Sequence, residues 1–498
     1  MTLTAPPEPT PTVRSALRSP RRLRIEVLAG LVVALALIPE AISFSIIAGV
    51  DPRVGLFASF TMAVTISIVG GRPAMISAAT GAVALVVAPL TRQYGVDYLV
   101  VTVLLAGVLQ IVFSLLGAPK LMRFVPRSVM VGFVNALAIL IFVSQVPQLV
   151  GVPWLVYPLV ALGLLIMVVL PRLSTALPAP LLGIVVITGL VLAFGWRVPT
   201  VGDEGELPRS LPSLFIPHVP LEWQTLRIVA PYALGVALVG LLESLMTAKL
   251  VDDITDSPSN KTREGFGQGV ANLVTGAFGG MGGCAMIGQT MINVRISGAR
   301  TRISTFLAGV FVLILVVVLG DVVGLIPMAA LVAVMIMVSV STFDWHSIHP
   351  RTLRRMPLSA TLIMLVTVVA TVATGNLAIG VVLGVVVAMV SFARRAAHFT
   401  EVIREVDGES GTPTYRVRGV LFFASSNDLI HQFEYAHDTD RVVIDLSEAQ
   451  IYDASTVATL DAVEQRYARR GIAVEIVGLN PASQAWHGKL SGNLGVGH

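Results

Sequence analysis

Fourteen apolar segments follow one another between residues 25 and 395, and this succession limits the fold more than any other feature of the chain. They lie near residues 25–48, 53–70, 75–90, 98–117, 127–147, 154–170, 179–196, 228–250, 264–280, 286–298, 303–320, 327–343, 358–374 and 377–393. Only 13% of the 498 residues are charged, against about 25% in a typical soluble protein. The sequence therefore predicts an α-helical polytopic membrane protein, although several segments are shorter than the ~20 residues of a complete crossing.

The basic residues predict the topology. If the chain starts in the cytoplasm, every even-numbered segment ends there, and each of these connections holds Lys or Arg. These residues are Arg72; Lys120, Arg123 and Arg127; Arg172; Lys249, Lys261 and Arg263; Arg295, Arg300 and Arg302; Arg351, Arg354 and Arg355; and Arg394 and Arg395. The opposite connections hold Arg92, Arg197, Arg209 and Arg227 and the acidic stretch 202–206. We expect fourteen spans in a bacterial-type inner (plasma) membrane, with both termini cytoplasmic.

Other sequence features limit the possible partners. Residues 1–24 are Pro-rich and then Arg-rich, which predicts a disordered basic cytoplasmic tail. The remaining basic residues are scattered between apolar segments, so no nucleic acid is expected. Cys284 is the only cysteine, which excludes an intramolecular disulfide and gives no metal cluster; neither a metal nor a cofactor is expected.

The long polar connection 198–225 separates two sets of seven segments, 25–197 and 226–395. An odd number of spans in each set forces the second set to insert upside down relative to the first. Inverted repeats are the architecture of many secondary transporters, whose binding site lies near the membrane midplane where interrupted helices meet.

The third segment of each set is a candidate interruption. Residues 71–87 (GRPAMISAATGAVALVV) and 279–294 (GGMGGCAMIGQTMINV) are rich in glycine and other small residues. Half-helices beginning near Thr80–Gly81 and Gly288–Gln289 would direct positive N-termini at one site, which favours an anion. Small residues also permit tight helix packing. Their matching positions in both halves favour a binding site.

Two carboxylates occupy related places in the two repeats, within apolar segments where a charge costs ~2.5–3.5 kcal/mol. Glu40 follows Pro39 in the first segment, and Glu243 lies in the eighth, its inverted counterpart. A proton taken up there would cancel negative charge and favour the anion, so we predict proton coupling at Glu243 and a pocket-wall role for Glu40. Alternatives are structural acids, with Glu243 bonded to backbone or Lys249, and a sodium site at Glu243 with Thr290. Asp252 and Asp253 are expected to be solvated.

After residue 395 the composition changes to that of a small α/β domain, 396–498. Strands are predicted at 415–425, 441–447 and 473–479, and an amphipathic helix at 454–471. Nucleotide-binding glycine motifs and a nucleophile elbow are missing from this sequence, so we do not expect an enzyme.

The chain resembles a known family in several motifs at once. These are IPEAISF (38–44), DPRVGLFAS (51–59), NKTREGFGQGVANLVTGAFGG (260–280), the following GQTMINV, and VVIDLSEAQIYDASTVATL (442–460). Together they resemble the sulfate permease (SulP) family, relatives of the animal solute carrier family 26 anion transporters, which end in a STAS domain. The resemblance covers essentially the whole chain after the tail.

This resemblance implies two inverted seven-span repeats of UraA-like architecture. Spans 1–4 and 8–11 would form a core domain, and spans 5–7 and 12–14 a gate domain. Anions would bind between the half-helices of spans 3 and 10, and the core would slide against the gate in an elevator-type mechanism. The resemblance also implies a homodimer, with the STAS domain engaged in assembly or in binding a regulatory protein.

The resemblance also assigns substrate-binding residues by position. They are Glu40, Ser43 and Phe44 in span 1, Thr80, Gly81 and Ala82 in span 3, and Gly288, Gln289 and Thr290 in span 10. Span 10 often carries an arginine in this family, and here its absence leaves hydrogen bonds and helix dipoles to attract the anion. In the STAS domain Ala454 follows Asp453 where related domains carry a phosphorylated serine, so a phospho-switch is not expected there.

We therefore expect a secondary active transporter of small anions, coupled to protons. A dicarboxylate is favoured as substrate, then bicarbonate, then sulfate. A sodium-coupled symporter, an uncoupled exchanger or channel, and a nucleobase permease of the same fold are the alternatives.

Overall fold

The computed structural model describes residues 11–121, 125–173, 179–205, 207, 210–220, 222–397, 400–406, 412–438 and 441–492. The first ten residues of the predicted tail, Arg123, Arg209 and the last residue of the acidic stretch therefore lie outside the described residues. The chain forms two compact units, Met1–Val385 and Val386–His498.

The first unit consists mainly of helices. In chain order its elements are α1 (Val13–Arg18), α2 (Pro20–Ala48), α3 (Pro52–Val69), β1 (Ser77–Ala78), α4 (Gly81–Tyr94), α5 (Val96–Leu115), α6 (Ala118–Leu121), α7 (Arg127–Gln145), α8 (Val156–Leu173), α9 (Ala179–Phe194), α10 (Trp223–Thr255), α11 (Lys261–Ala277), β2 (Cys284–Ala285), α12 (Ile287–Met291), α13 (Arg302–Gly324), α14 (Met328–Thr342), α15 (Pro350–Arg355) and α16 (Leu358–Thr374). The next helix, α17 (Leu377–Ala397), begins in the first unit and ends in the second.

Each of the fourteen predicted segments overlaps one of these helices. Among the described residues, seven helices are long and apolar enough to cross a membrane, namely α2, α3, α5, α7, α10, α13 and α17. Four more, α8, α9, α14 and α16, are apolar but shorter. The helices of the remaining segments are α4, α11 and α12. The count of fourteen spans stays a prediction.

The expectation of disorder up to residue 24 is wrong for residues 13–24. Thr12 caps α1, and Ser19 caps α2, whose first residue is Pro20. A capping hydroxyl followed by proline at the first helical position is a strong start signal, so the first long helix begins before its apolar part.

The helices pack in two groups. In one, α11 packs against α3 and α5, and α13 packs against α2 and α3. In the other, α14 packs against α7, α8 and α9, and α16 packs against α7. The groups correspond to the core and gate domains that the resemblance implies. Asn135 of α7 donates to Ser347 (2.9 Å) and accepts from the Asp344 backbone (2.8 Å), a structural role.

The second unit contains a four-stranded sheet of order β3 (Glu401–Val406), β4 (Pro413–Leu421), β5 (Arg441–Ile451) and β6 (Ala473–Val477). β3 and β4 are antiparallel, whereas β4, β5 and β6 are parallel. Its helices are α18 (Phe423–Leu429), α19 (Ala454–Ala468) and α20 (Pro481–Leu490). The predicted strand 415–425 therefore ends too late, because its last residues turn into α18.

A buried carboxylate organises the interior of this unit. The hydroxyls of Tyr415 and Tyr467 both donate to Asp438 at 2.6 Å, and Arg404 pairs with it at 2.8 Å. Burial, together with the hydrogen bond to Asp438, raises the pKa of Tyr467. Hydrogen bonds from charged and hydroxyl donors offset the loss of water around the carboxylate.

Candidate functional site

Two helix breaks meet inside the first unit. β1 pairs with β2 in antiparallel fashion, with Ser77 opposite Ala285 and Ala78 opposite Cys284. A short helix follows each break: α4 starts at Gly81, and α12 starts at Ile287 and continues as a π-helical turn, Ile292–Ile296. Both starts lie close to the predicted positions. The pairing brings the two N-terminal ends into one region.

Polar side chains from neighbouring helices satisfy the backbone of the breaks. The bonds run from the N–H of Ala79 to Ser59 of α3 (3.3 Å), from Ala285 to Ser244 of α10 (3.0 Å), and from Gly283 to Asn272 of α11 (2.9 Å). Non-helical backbone is tolerated at membrane depth only when its polar groups find such partners. Sequence reasoning missed these three side chains. The signal that could have found them is a polar side chain within a stretch of apolar or small residues.

The breaks approach each other so closely that a side chain is excluded at Gly283. A Cβ atom there would lie 1.9 Å from the carbonyl oxygen of Ala78. Gly288, in the same glycine-rich stretch, faces open space. The glycines of this segment therefore have different roles: Gly283 permits the contact between the breaks, and Gly288 borders a cavity.

That cavity, of about 260 Å³, lies between the breaks and helices α7 and α14. Eight of the ten predicted site residues line it: Glu40, Phe44, Thr80, Gly81, Ala82, Glu243, Gly288 and Gln289. Apolar residues of α7 and α14, among them Phe133, Leu137 and Val334, complete its wall. It thus lies between the two groups of packed helices.

The structure places Ser43 and Thr290 outside this cavity. Ser43 donates to the carbonyl of Pro39 (2.8 Å) and lines a second cavity of about 390 Å³ together with Arg92. Thr290 accepts from the backbone N–H of Ile76 at 3.0 Å and is fully buried. Ser43 and Thr290 each adjoin a lining residue, Phe44 or Gln289. Successive residues of a helix point about 100° apart, and these two face away from the cavity.

Glu243 belongs to a chain of hydrogen bonds that reaches the start of α4. The Cys284 thiol donates to the Glu243 carboxylate at 3.0 Å, and its sulfur lies 3.2 Å from the Thr80 hydroxyl. Thr80 is also the N-cap of α4, accepting from the N–H of Val83 at 3.4 Å. The charge state of Glu243 is thereby linked to the half-helix end. Sequence reasoning did not assign this role to Cys284.

Glu40 lies across the same cavity in a different environment. Its carboxylate lies beside the Gln289 side chain. Gln289 is 2% exposed, and its Oε1 has no hydrogen-bond partner among the described residues. A buried acceptor without a donor is uncommon in folded proteins. This part of the cavity therefore offers an unused acceptor beside a carboxylate.

The cavity has an unusual charge for an anion site. Its described lining residues include two carboxylates, Glu40 and Glu243, and no lysine, arginine or histidine. The positive end of the α4 dipole is the main fixed attraction for negative charge. Two ionised carboxylates would oppose that attraction, so the net charge of the cavity depends on their protonation.

Paired helix breaks that meet beside a cavity are an arrangement found in many secondary transporters of the membrane. The chain belongs to the sulfate permease family, whose model matches residues 23–156 and 152–367, and residues 404–485 match the STAS domain. It is thus a multi-pass membrane protein with a C-terminal STAS domain.

Two curated relatives and one solved structure extend the comparison. The chain is 50% identical over 463 residues to Bacillus subtilis YbaR, named as a candidate sulfate transporter, covering 93% of this chain and 96% of that protein. It is 25% identical to the bicarbonate transporter BicA of Picosynechococcus, covering 89% and 87%. The murine anion transporter of solute carrier family 26, member A9, in an inward-facing state, superimposes with a TM-score of 0.81 at 16% identity, covering 94% and 87%. This last likeness concerns the fold alone.

Proposed function

We propose that the protein is a secondary active transporter of small oxyanions, and that it moves its substrate together with protons. The observation that carries the proposal is the pairing of Glu40 and Glu243 in one cavity that lacks a cationic side chain among its described lining. Two negative charges oppose an anion at close range. Protonation removes that opposition, so proton and anion are expected to bind together.

Glu243 is proposed as the coupling site. It is 6% exposed and holds the Cys284 thiol, which in turn contacts the N-cap of α4. Proton binding there would alter the hydrogen bonds at the half-helix that faces the substrate. Glu40 is proposed to line the pocket beside Gln289.

The substrate is proposed to be bicarbonate or sulfate, ahead of a dicarboxylate. The names of the relatives favour the first two. Bicarbonate carries a hydroxyl that could donate to the unpartnered Oε1 of Gln289, whereas the fully ionised sulfate has no donor to offer. This chemistry ranks bicarbonate first.

Substrate access is proposed to alternate by an elevator-type movement of the core helices against the gate helices. The cavity lies between the two helix groups, so a displacement of one group past the other would carry the breaks and the anion together. Sodium coupling has less support, because Thr290, the oxygen suggested as partner of Glu243, is bonded to Ile76 and does not line the cavity.

The direct test is uptake of labelled bicarbonate, sulfate and a dicarboxylate into proteoliposomes with imposed proton or sodium gradients. Glu243→Gln is expected to abolish the dependence of uptake on external pH, because the side chain no longer titrates. Glu40→Gln is the matched variant, with the same change in the same cavity, and should retain that dependence while altering KM. A Glu243→Gln protein whose uptake still follows the proton gradient would refute the coupling assignment.

The membrane, the topology and the partners of the transporter are also proposals. The Lys and Arg residues of alternate connections favour insertion into a bacterial inner (plasma) membrane with both termini in the cytoplasm. We further propose a homodimer whose STAS domain binds a regulatory protein. Ser455 is exposed and Thr456 is buried against Asp453, so of these two hydroxyls Ser455 is the one accessible to modification.

A further inference from the structure

Three arginines line a separate cavity of about 280 Å³ at the connections that hold the predicted cytoplasmic charges. Arg72 follows α3, whereas Arg300 and Arg302 lie at the start of α13. The remaining residues that line the cavity are residues 11–13, Pro73, Thr301, and residues at the end of α10 and in the following turn. None of these residues lines the cavity between the helix breaks.

Arg72 is buried with part of its hydrogen-bonding capacity unused. It is 8% exposed, and its Nη1 donates to Asp252 (3.0 Å) and to the carbonyl of Ser257 (2.7 Å), while Nη2 donates to Thr255. Its Nε has no hydrogen-bond partner among the described residues. A buried charged donor is costly to leave unpaired, so this N–H is available to an acceptor on a ligand.

The other two arginines are held by neutral groups. Arg300 donates through Nη1 to the carbonyls of Val294 (2.5 Å) and Ala299 (2.9 Å). Arg302 donates to the carbonyls of Ser67 (3.1 Å) and Gly70 (2.5 Å). Carbonyl oxygens fix the orientation of a guanidinium group without neutralising it. Both side chains therefore keep their charge beside the cavity.

The nearby carboxylates are already engaged. Asp252 pairs with both Arg72 and Lys261, the latter at 2.6 Å. Glu26 accepts from the backbone N–H groups of Arg300 (2.9 Å), Thr301 (3.0 Å) and Ser304 (3.2 Å), so the start of α13 has an acid of its own. Glu264 accepts from the backbone of Gly71 and Arg72. These three carboxylates are therefore all engaged, and the charge of Arg300 acts against that of Arg72.

We propose that this cavity binds the phosphoryl group of an anionic ligand. Guanidinium groups donate in a planar fork that matches phosphate oxygens, and three of them converge here with an unpartnered N–H. The ligand could be the headgroup of an anionic lipid, since basic pockets at the cytoplasmic ends of spans bind such headgroups, or a soluble phosphate compound. It would connect the segment that leads into the first helix break with the segment that leaves the second.

The test uses the full-length protein, purified in detergent and stripped of lipid, and does not depend on transport. Thermal unfolding is measured against dioctanoyl-phosphatidylglycerol, dioctanoyl-phosphatidylcholine and inorganic phosphate. Phosphatidylglycerol or phosphate is expected to stabilise the wild type in a saturable manner, and Arg300→Gln should weaken the apparent affinity about tenfold or more. Stabilisation by phosphatidylglycerol alone identifies a lipid headgroup; stabilisation by phosphate identifies a soluble ligand.

Arg295→Gln is the matched control, because this exposed arginine of the same segment does not line the cavity. It should bind as the wild type does. Arg300→Lys retains the charge and a donor and should give an intermediate affinity even if Arg300→Gln fails to fold. In the wild type, the ligand should also protect Arg300 from modification by phenylglyoxal. Equal affinity in Arg300→Gln and wild type, or no saturable stabilisation by either compound, would overturn the proposal.

Discussion

The two helix breaks are related by position in the repeats and differ in how they are completed. The first leads into α4, fourteen residues long and capped by the Thr80 hydroxyl. The second leads into α12, five residues long, which has no side-chain cap and passes into a π-helical turn. The acids differ as well: the buried Cys284 thiol donates to Glu243, whereas Glu40 lies beside the Gln289 amide at the cavity wall.

This difference shows that two breaks with similar backbone pairing present different groups to the cavity. The first break offers a capped half-helix with a positive end, while the second offers glycine and glutamine at the cavity surface. Substitutions that act on one break and leave the other intact would show whether the two breaks have separate functions.

The largest effect is expected at the contact between the breaks. Gly283→Ala would place a Cβ atom 1.9 Å from the Ala78 carbonyl, so the two strands would have to separate. We expect a loss of more than about 3 kcal/mol in the free energy of unfolding, or no folded protein. Gly288→Ala, with open space around it, should unfold at the wild-type temperature in detergent. Equal stability of the two variants would contradict the tight contact.

A smaller loss is expected at Asn272. Its side chain accepts from the N–H of Gly283 (2.9 Å) and donates to the Gly283 carbonyl (3.1 Å). Asn272→Ala leaves both groups buried without partners, each at about 1–3 kcal/mol. Thermal unfolding should show lower stability for this variant than for Asn376→Ala, whose side chain lies at an exposed helix start. An unchanged unfolding temperature would show that another group replaces the amide.

The smallest effect is expected at the thiol that joins Glu243 to Thr80. Cys284→Ala removes both contacts, and one lost hydrogen bond corresponds to about a two- to tenfold change in kcat/KM. Cys284→Ser restores a donor of similar size and should recover most of the activity. Uptake across a pH series is the measurement. If the alanine and serine variants behave alike, the thiol acts only by filling space.

The apolar segments and both breaks could be predicted because they depend on local composition. The supporting side chains could not, because Ser59, Ser244 and Asn272 become partners of the breaks only through tertiary packing. Asp252 shows the same limit: expected in solvent, it is bonded to Arg72, which lies 180 positions earlier in the sequence. The prediction that it is solvated is wrong for that reason.

Helix phase explains the two predicted site residues that lie elsewhere. Ser43 and Thr290 belong to continuous motifs, and only part of each motif faces the cavity. In the C-terminal domain, the sequence does not predict β3 because Glu401, Arg404 and Glu405 interrupt the apolar pattern of a strand. The strand predicted over 415–425 ran too far because phenylalanine also favours strands.

The neighbours Ser43 and Phe44 line different cavities, and so do Leu140 and Ile141 on α7. The two cavities lie towards opposite ends of α4, and at its first residue the ring of Phe44 and the side chain of Ile141 close around Gly81. If water filled both cavities, this apolar contact would separate the two aqueous spaces and would carry part of any membrane voltage. Moving one elementary charge through a potential of 100 mV is worth about 2.3 kcal/mol.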